Sequence, residues 1–126
     1  MSDVTYCVLV VEDDALLRSV EVAYLSASGF RTLEASSVDE AEGLLSLDFS
    51  VRIVVSDVNL GGGKNGDDLA QWLAVMRPQL PLIITSALGR RHRLRTSLHS
   101  FIGKPFALAD LVTLIRRRLN LTVDEG

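Results

Sequence analysis

Short apolar runs alternate with helical patterns along the chain, and this alternation constrains the fold more than any other feature of the sequence. The runs are rich in β-branched and aliphatic residues, which predicts buried strands. The predicted strands are residues 6–11, 30–35, 51–56, 82–86 and 101–103. Because helical patterns separate most of them, we predict a parallel sheet covered on both faces by right-handed crossover connections.

Apolar residues that recur every three or four positions predict four helices around these strands. The first helix ends near Gly29, a capping box of Ser37 and Glu40 opens the second, and the third stops before Pro78. We interpret the apolar stripes as the faces that pack on the sheet. The stripes are Leu16, Val20, Ala23 and Ala27; Val38, Ala41 and Leu45; Leu69, Leu73 and Met76; and Leu108, Leu111, Val112, Ile115 and Leu119.

The length of 126 residues fits one such sheet, so we predict a single domain over residues 1–126, with a core at about 6–119 and a tail at 120–126. No apolar run reaches the roughly 18–20 residues of a membrane span, and the first dozen residues lack the basic start of a secretory signal. We therefore expect a cytoplasmic protein without a membrane partner. The net charge of −3 gives no support for nucleic acid as the main partner.

Polar side chains follow the predicted strands at their carboxyl ends, where ligands bind in sheets of this kind. Glu12 and Asp13 follow the first strand, Asp57 the third, Ser86 ends the fourth and Lys104 follows the fifth. Crowded carboxylates raise one another's pKa unless a cation intervenes, and hard oxygen ligands suit Mg²⁺. An ammonium and a hydroxyl can hold phosphoryl oxygens. This set of residues therefore predicts phosphoryl transfer onto a carboxylate.

The residues around these strand ends resemble a known family. The acidic pair lies in VLVVEDDALLR, the aspartate in IVVSDVNL, the hydroxyl followed by alanine in PLIITSAL, and the lysine–proline pair in FIGKPF. Over about residues 6–119 the chain is similar to the receiver domains of two-component response regulators. The resemblance implies a flavodoxin-like (βα)5 sheet of order 2-1-3-4-5, which agrees with the alternation of strands and helices.

The resemblance also implies roles for individual residues at a metal-assisted site. Asp57 takes the position of the phosphoacceptor. Glu12 and Asp13 take the acidic-pair positions, so that these two side chains, Asp57 and the backbone carbonyl of Asn59 would hold Mg²⁺ or Mn²⁺. Glu12 replaces the commoner aspartate with a longer side chain of the same charge. We therefore expect metal affinity to be modified and not lost.

Three further residues complete the site that the resemblance implies. Ser86 and Lys104 would bind the phosphoryl group, and Phe101 stands where the family has its switch aromatic, without the hydroxyl of a tyrosine. A sensor histidine kinase or a histidine phosphotransfer protein would donate the group, and an unknown output protein would respond. The chain would then be a signalling switch, with no enzymatic turnover beyond self-phosphorylation and self-dephosphorylation. The alternative is a receiver-like interaction module that acts without phosphorylation.

Two enzyme or cofactor hypotheses are weaker. Residues 61–66, GGGKNG, match the dinucleotide-binding GxGxxG pattern, but the next strand ends in Thr85 and Ser86 where an acid would contact the ribose. We therefore interpret these glycines as a flexible turn. An aspartyl-phosphate phosphatase would need an acid two residues beyond Asp57, and Asn59 stands there.

The segment between the fourth and fifth strands is short and basic. It carries Arg90, Arg91, Arg93 and Arg95, with Leu88, Leu94 and Leu98 as apolar anchors. Because this segment has so little apolar area to bury, we predict that the helix between these two strands, the fourth in chain order, is shortened or irregular over residues 88–100. Its arginines form either a solvated face or a surface that docks an acidic partner, and DNA binding is the third choice. Leu88 cannot orient a water, which favours slow self-dephosphorylation.

The remaining distinctive side chains predict packing roles. The single cysteine, Cys7, lies in a predicted buried strand, which excludes an intrachain disulfide and a cysteine zinc site. Trp72 lies among the apolar residues of its helix and is interpreted as a packing residue. His92 and His99 have no clustered partners that would make a metal site.

Overall fold

A five-stranded parallel sheet runs through the computed structural model, which describes residues 5–87 and 94–121. The strand order is β2-β1-β3-β4-β5, as predicted. The elements are β1 Cys7–Val11, α1 Ala15–Ala27, β2 Arg31–Ala35, α2 Val38–Leu47, β3 Val51–Asp57, α3 Gly66–Met76, β4 Leu82–Ala87, β5 His99–Lys104 and α4 Leu108–Arg118. In these residues no helix is long and apolar enough to cross a membrane.

Two apolar layers hold the helices on opposite faces of the sheet. Helices α2 and α3 pack on one face, against side chains such as Leu9 and Val54. Helices α1 and α4 pack on the other, against Val8 and Val55. Because both faces of β1 are covered, all five of its residues are buried, Cys7 included. A central parallel strand of this sheet therefore has a continuous apolar run in the sequence.

The apolar stripes predicted for α2 and α4 are confirmed, since each residue in them is buried or packs against a core layer. In α3, Leu69 and Leu73 are buried, and Trp72 packs against the core as predicted. Met76 was wrongly assigned to the core, because 58% of its surface is exposed at the end of the helix.

The stripe predicted for α1 is wrong. Leu16 is 73% exposed and Val20 47% exposed, and Ala23 and Ala27 also face solvent. The buried residue of α1 is Leu25. Two polar residues of this helix, Arg18 and Glu21, are half-buried instead. Because the inner face contains polar residues, apolar spacing does not identify it. The residues of α1 that turn inward are Arg18, Glu21, Val22 and Leu25.

The fifth strand is longer than predicted, since it begins at His99 and not at Phe101. The described part of the connection before it, residues 94–98, contains bends and a turn but no helix. The predicted irregular fourth helix therefore lacks helical structure over these five positions. Residues 88–93, with Leu88, His92 and three of the four arginines, lie outside the described residues, as do positions 122–126 of the predicted tail.

Arginines occupy the amino end of the sheet, where the helices α1, α2 and α3 end. Arg77, at the C-cap of α3, donates from Nη1 to the carbonyl of Leu45 in the last turn of α2 at 2.9 Å. Arg116 donates from Nη2 to the carbonyl of Ser28, the C-cap of α1, at 3.1 Å. Arg77 also stacks over the Phe49 ring at 4.9 Å. These cations satisfy carbonyls that helix ends leave without partners.

Candidate functional site

The carboxyl end of the sheet brings Asp57 and Lys104 together. Asp57 is the last residue of β3 and Lys104 the last of β5, with β4 between them. The Lys104 Nζ lies 3.0 Å from Asp57 Oδ2, and the backbone N–H of Asn59 donates to Asp57 Oδ1 at 3.3 Å. Both carboxylate oxygens of Asp57 are thus oriented at a half-buried strand end. This arrangement holds a nucleophilic oxygen beside a cation.

Glu12 is a buried carboxyl beside this pair. It directly follows β1, whose last residue Val11 is in register with Ser56 of β3, so that Glu12 and Asp57 end neighbouring strands at one level. Its residue surface is 2% exposed, and Oε2 has no hydrogen-bond partner among the described residues. Burial, followed by the negative charge of Asp57, raises the pKa of Glu12 to about 7, although Lys104 opposes the shift.

A hard divalent cation fits these residues. An oxygen that is buried without a partner, next to a second carboxylate that raises its pKa, is a group that a cation would satisfy. Among the described residues no group of three His, Cys, Asp or Glu side chains is arranged for a metal ion. Mg²⁺ commonly binds through one or two carboxylates and keeps several waters. Glu12, Asp13 and Asp57, with the carbonyl of Asn59 on the loop after β3, would hold such an ion.

Asp13, the second acidic residue, is directed differently. Its side chain is exposed, and Oδ2 accepts a hydrogen bond at 2.8 Å from the backbone N–H of Gly61, in the loop between β3 and α3. A carboxylate has two oxygens, so this bond leaves Oδ1 for another ligand. Asp13 therefore lies at the edge of the Glu12–Asp57 pair and is oriented by a backbone amide.

The remaining predicted residues lie at the same edge of the sheet. Ser86 is buried near the end of β4 and is in register with Gly103 of β5. Phe101 is in register with Ile84, further from the strand ends, and is 42% exposed. The structure thus places Ser86 one residue beyond Thr85, the partner of Asp57 in the β3–β4 register, and places Phe101 at the sheet edge.

The match to protein families decides what kind of domain carries this site. The model of the response regulator receiver domain matches residues 8–116, which is most of the chain. The chain belongs to the response-regulator receiver family. Receiver domains are the phosphoacceptor modules of two-component systems, phosphorylated by sensor kinases, and they are signalling modules and not turnover enzymes.

Individual relatives agree with this assignment. The chain is 32% identical over 114 residues to the C4-dicarboxylate transport transcriptional regulatory protein DctD of Rhizobium meliloti (strain 1021), covering 87% of the chain and 24% of that protein. It is 30% identical over 125 residues to the aerobic respiration control protein ArcA of Escherichia coli (strain K12), covering 94% and 50%. The chain therefore spans a quarter to half of the length of these relatives.

Solved receiver structures share the fold. The receiver domain of NtrX from Brucella abortus has a TM-score of 0.78 and 27% identity, covering 91% of this chain and 99% of that chain. The non-phosphorylated HemR receiver domain from Leptospira biflexa has a TM-score of 0.79 and 27% identity, covering 97% and 100%.

The sequence reasoning missed one close contact in this receiver. Gly66 begins α3 directly against β3, and a Cβ at this position would lie 2.7 Å from the carbonyl oxygen of Asp57 and 2.8 Å from the Cα of Val58. The Gly66 N–H donates to the carbonyl of Val58 at 2.9 Å. The last glycine of the GGGKNG run is therefore required for the approach of α3 to the phosphoacceptor strand, and not for turn flexibility.

Two other residues near the site were also missed. Asp14 is not a ligand candidate, because its side chain caps α1 by accepting from the N–H groups of Leu16 and Leu17. Arg18 donates from Nη1 to the backbone carbonyl of Glu12 at 2.7 Å and so fixes the start of the acidic loop. Arg18 lies outside the apolar stripe predicted for α1, so apolar spacing gave no signal for it.

Proposed function

We propose that Asp57 accepts a phosphoryl group from a phosphohistidine, that Mg²⁺ assists the transfer, and that the phosphorylated receiver changes its binding to an output protein. The supporting observation is the ion pair between Lys104 and Asp57 at 3.0 Å, beside a buried oxygen of Glu12 that has no hydrogen-bond partner in the described part of the chain. An oriented nucleophilic carboxylate, a fixed cation and a buried anionic oxygen suit a reaction that brings a further anion to this place.

A carboxylate oxygen of Asp57 forms a bond to phosphorus, the phosphorus–nitrogen bond of the phosphohistidine breaks, and the imidazole nitrogen keeps the electron pair and takes a proton. Mg²⁺ held by Glu12, Asp13, Asp57 and the carbonyl of Asn59 would neutralise negative charge at the site. Lys104, whose Nζ lies 3.0 Å from Asp57 Oδ2, would bind one oxygen of the acyl phosphate, and the hydroxyl of Ser86 would donate to another.

The outer face of α1 supports a docking surface for the phosphodonor. Large apolar side chains lie exposed on this helix, which begins directly after the acidic pair: Leu16, Leu17, Val20 and Tyr24. Positions three, four and seven apart share one side of a helix, so these residues form a stripe that starts at the site. A histidine-bearing helix that covered this stripe would bring its phosphohistidine to Asp57.

The decisive experiment is phosphorylation by a small donor such as acetyl phosphate, followed by intact-protein mass spectrometry. We expect one added phosphoryl group with Mg²⁺, none in EDTA, and none in Asp57→Asn. Asp110→Asn, which removes an exposed carboxylate in the first turn of α4, is the matched control and should react like the wild type. Equal labelling of Asp57→Asn would reject the proposed acceptor. A wild type that is never labelled would favour the interaction module that acts without phosphorylation.

A further inference from the structure

The loop between β3 and α3 connects the acidic site to helix α2. At its first part, the N–H of Gly61 holds Oδ2 of Asp13 at 2.8 Å. At its far part, the Nζ of Lys64 lies 2.8 Å from Oδ1 of Asp39 and 3.5 Å from Oε1 of Glu42, both on α2. These contacts join positions far apart in sequence, so the loop ties Asp13 to α2 through three intervening peptide units.

The loop is fixed at a third point, the start of α3. The Asn65 side chain accepts from the N–H of Asp68, and the Asp68 carboxylate accepts from the N–H of Asn65, which together form a capping box. Gly62 and Gly63 both have positive φ, at 74° and 76°, so the path between the anchors uses backbone conformations that favour glycine. The loop is thus held at Gly61, at Lys64 and at Asn65.

Lys64 also lies beside the tryptophan of the chain. A groove of about 400 Å³ beside α2 and α3 is lined by residues that include Lys64, Glu42, Asp68, Trp72 and Met76. Trp72 is the single tryptophan in the sequence. Its fluorescence therefore reports on this groove without any label.

We propose that Lys64 is a positioning residue for the metal site: anchored on α2, it holds the Gly61 amide that orients Asp13. The inference rests on the magnesium site of the proposed function and adds a path from that site to the α2–α3 face. Partners that orient metal ligands from outside the coordination shell contribute to metal affinity. Coupling between two sites is reciprocal, so Mg²⁺ at Asp13 also alters the Lys64 anchor and the groove beside Trp72.

The direction in which Mg²⁺ affinity changes distinguishes a positioning role of Lys64 from a purely electrostatic one. Lys64→Gln removes a positive charge near an acidic site, and the Coulomb effect alone would tighten Mg²⁺ binding. Positioning predicts the opposite, a weakening of about two- to five-fold, which is the range that an exposed ion pair contributes. Lys64→Arg keeps the charge and the ion pairs and should restore the wild-type affinity.

The experiment is calorimetric titration of the full chain with MgCl₂, with Trp72 emission followed in parallel. Gly61→Ala should weaken binding about tenfold, because its Cβ would lie 3.0 Å from Oδ2 of Asp13 and displace that carboxylate from the amide. Gly43→Ala, on α2 with no heavy atom within 4 Å of the added carbon, is the control for the glycine change. Arg31→Gln, which removes the same charge from an exposed pair with Asp48 at the amino end of the sheet, is the control for Lys64.

We expect Mg²⁺ to change the Trp72 emission of the wild type, and Lys64→Gln to lose this change while it binds the metal more weakly. Unchanged or tighter Mg²⁺ binding by Lys64→Gln would overturn the inference and leave the proposed function standing, as would Trp72 emission that does not respond at saturation. A wild type that takes up no Mg²⁺ would instead overturn the metal site itself.

Discussion

The two ends of the sheet differ in how their charged side chains are paired. At the amino end, the guanidinium groups of Arg77 and Arg116 each donate to a carbonyl at the end of a helix. At the carboxyl end, Glu12 and Asp57 lie close enough for one charge to raise the pKa of the other, and an oxygen of Glu12 stays buried without a hydrogen bond among the described residues. The arginines at the amino end therefore satisfy helix-end carbonyls, whereas at the carboxyl end a buried oxygen of Glu12 has no such donor among the described residues.

The comparison shows where stability and function separate in this receiver. Burial and the charge of Asp57 raise the folded-state pKa of Glu12, so the ionised Glu12 carboxylate lowers the stability of the metal-free protein. In the function proposed above, the same carboxylates would hold a divalent cation. Substitutions at the carboxyl end should therefore change stability and chemistry together, whereas substitutions at the amino end should change stability alone.

The largest loss of stability should come from Gly66→Ala at the carboxyl end. The added Cβ would lie 2.7 Å from the Asp57 carbonyl oxygen and 2.8 Å from the Val58 Cα, both backbone atoms that cannot move away as a flexible side chain would. We expect a loss of about 3 kcal/mol in the free energy of unfolding, together with impaired phosphorylation at Asp57. Urea unfolding and labelling by acetyl phosphate measure the two effects. Full labelling and unchanged stability would show that α3 can shift away from β3.

The next effect is a pH dependence of the free energy of unfolding, of about 2 kcal/mol. Two buried groups contribute to it: Glu12 at the carboxyl end and His99 at the amino end. The pKa of Glu12 is raised from 4.5 to about 7, so the folded state binds the proton more tightly and its stability falls as pH rises through this range. Burial, with Arg118 and Arg95, lowers the pKa of His99 from 6.5, and its Nδ1 is buried without a partner among the described residues. The stability that the folded protein gains from neutral His99 is therefore lost as the pH falls below 6.5.

Between pH 4.5 and 6.5, lowering the pH increases stability through Glu12 and decreases it through His99. Replacing one of the two residues should therefore reveal the pH dependence that the other causes. In EDTA, Glu12→Gln should remove the loss of stability toward neutral pH and leave a steeper decline toward acid. His99→Gln should do the reverse and gain stability steadily as the pH is lowered. Urea midpoints measured from pH 4 to 8 test this. Parallel pH curves for the wild type and Glu12→Gln would show that Glu12 is not protonated in the folded state.

The smallest effect should come from Arg77→Met at the amino end. The change keeps an apolar side chain over the Phe49 ring but removes the donor to the Leu45 carbonyl, which should cost about 1 kcal/mol. Phosphorylation of Asp57 and Mg²⁺ affinity should be those of the wild type, because the contacts of Arg77 with Leu45 and Phe49 lie at the amino end. A changed phosphorylation rate would remove the separation between the two ends.

The sequence predicted the sheet well because buried parallel strands leave a strong pattern of apolar runs. It also predicted which residues lie at the strand ends, since that placement follows from strand direction, and the structure pairs Asp57 with Lys104. The face of α1 could not be predicted from apolar spacing. Its inner side carries Arg18 and Glu21, whose roles depend on contacts with the loop after β1 and on burial.

Backbone contacts were the other features that the sequence could not show. The bond from the Gly61 amide to Asp13 joins two residues that no local pattern connects. The approach of Gly66 to Asp57 depends on how closely α3 packs on β3. In both cases a glycine run indicates only that the backbone has freedom, and the tertiary structure determines how each glycine uses it.

The outward stripe of α1 has a thermodynamic consequence for the encounter with a phosphodonor. Leu16, at 73% exposure, and Leu17 and Val20, at 47% each, keep ordered water in contact with apolar surface in the free receiver. A helix that covers them releases this water, so association should carry a negative heat-capacity change. Its enthalpy should then become more favourable as temperature rises, a signature that transfer from a small donor, which covers none of the stripe, would lack.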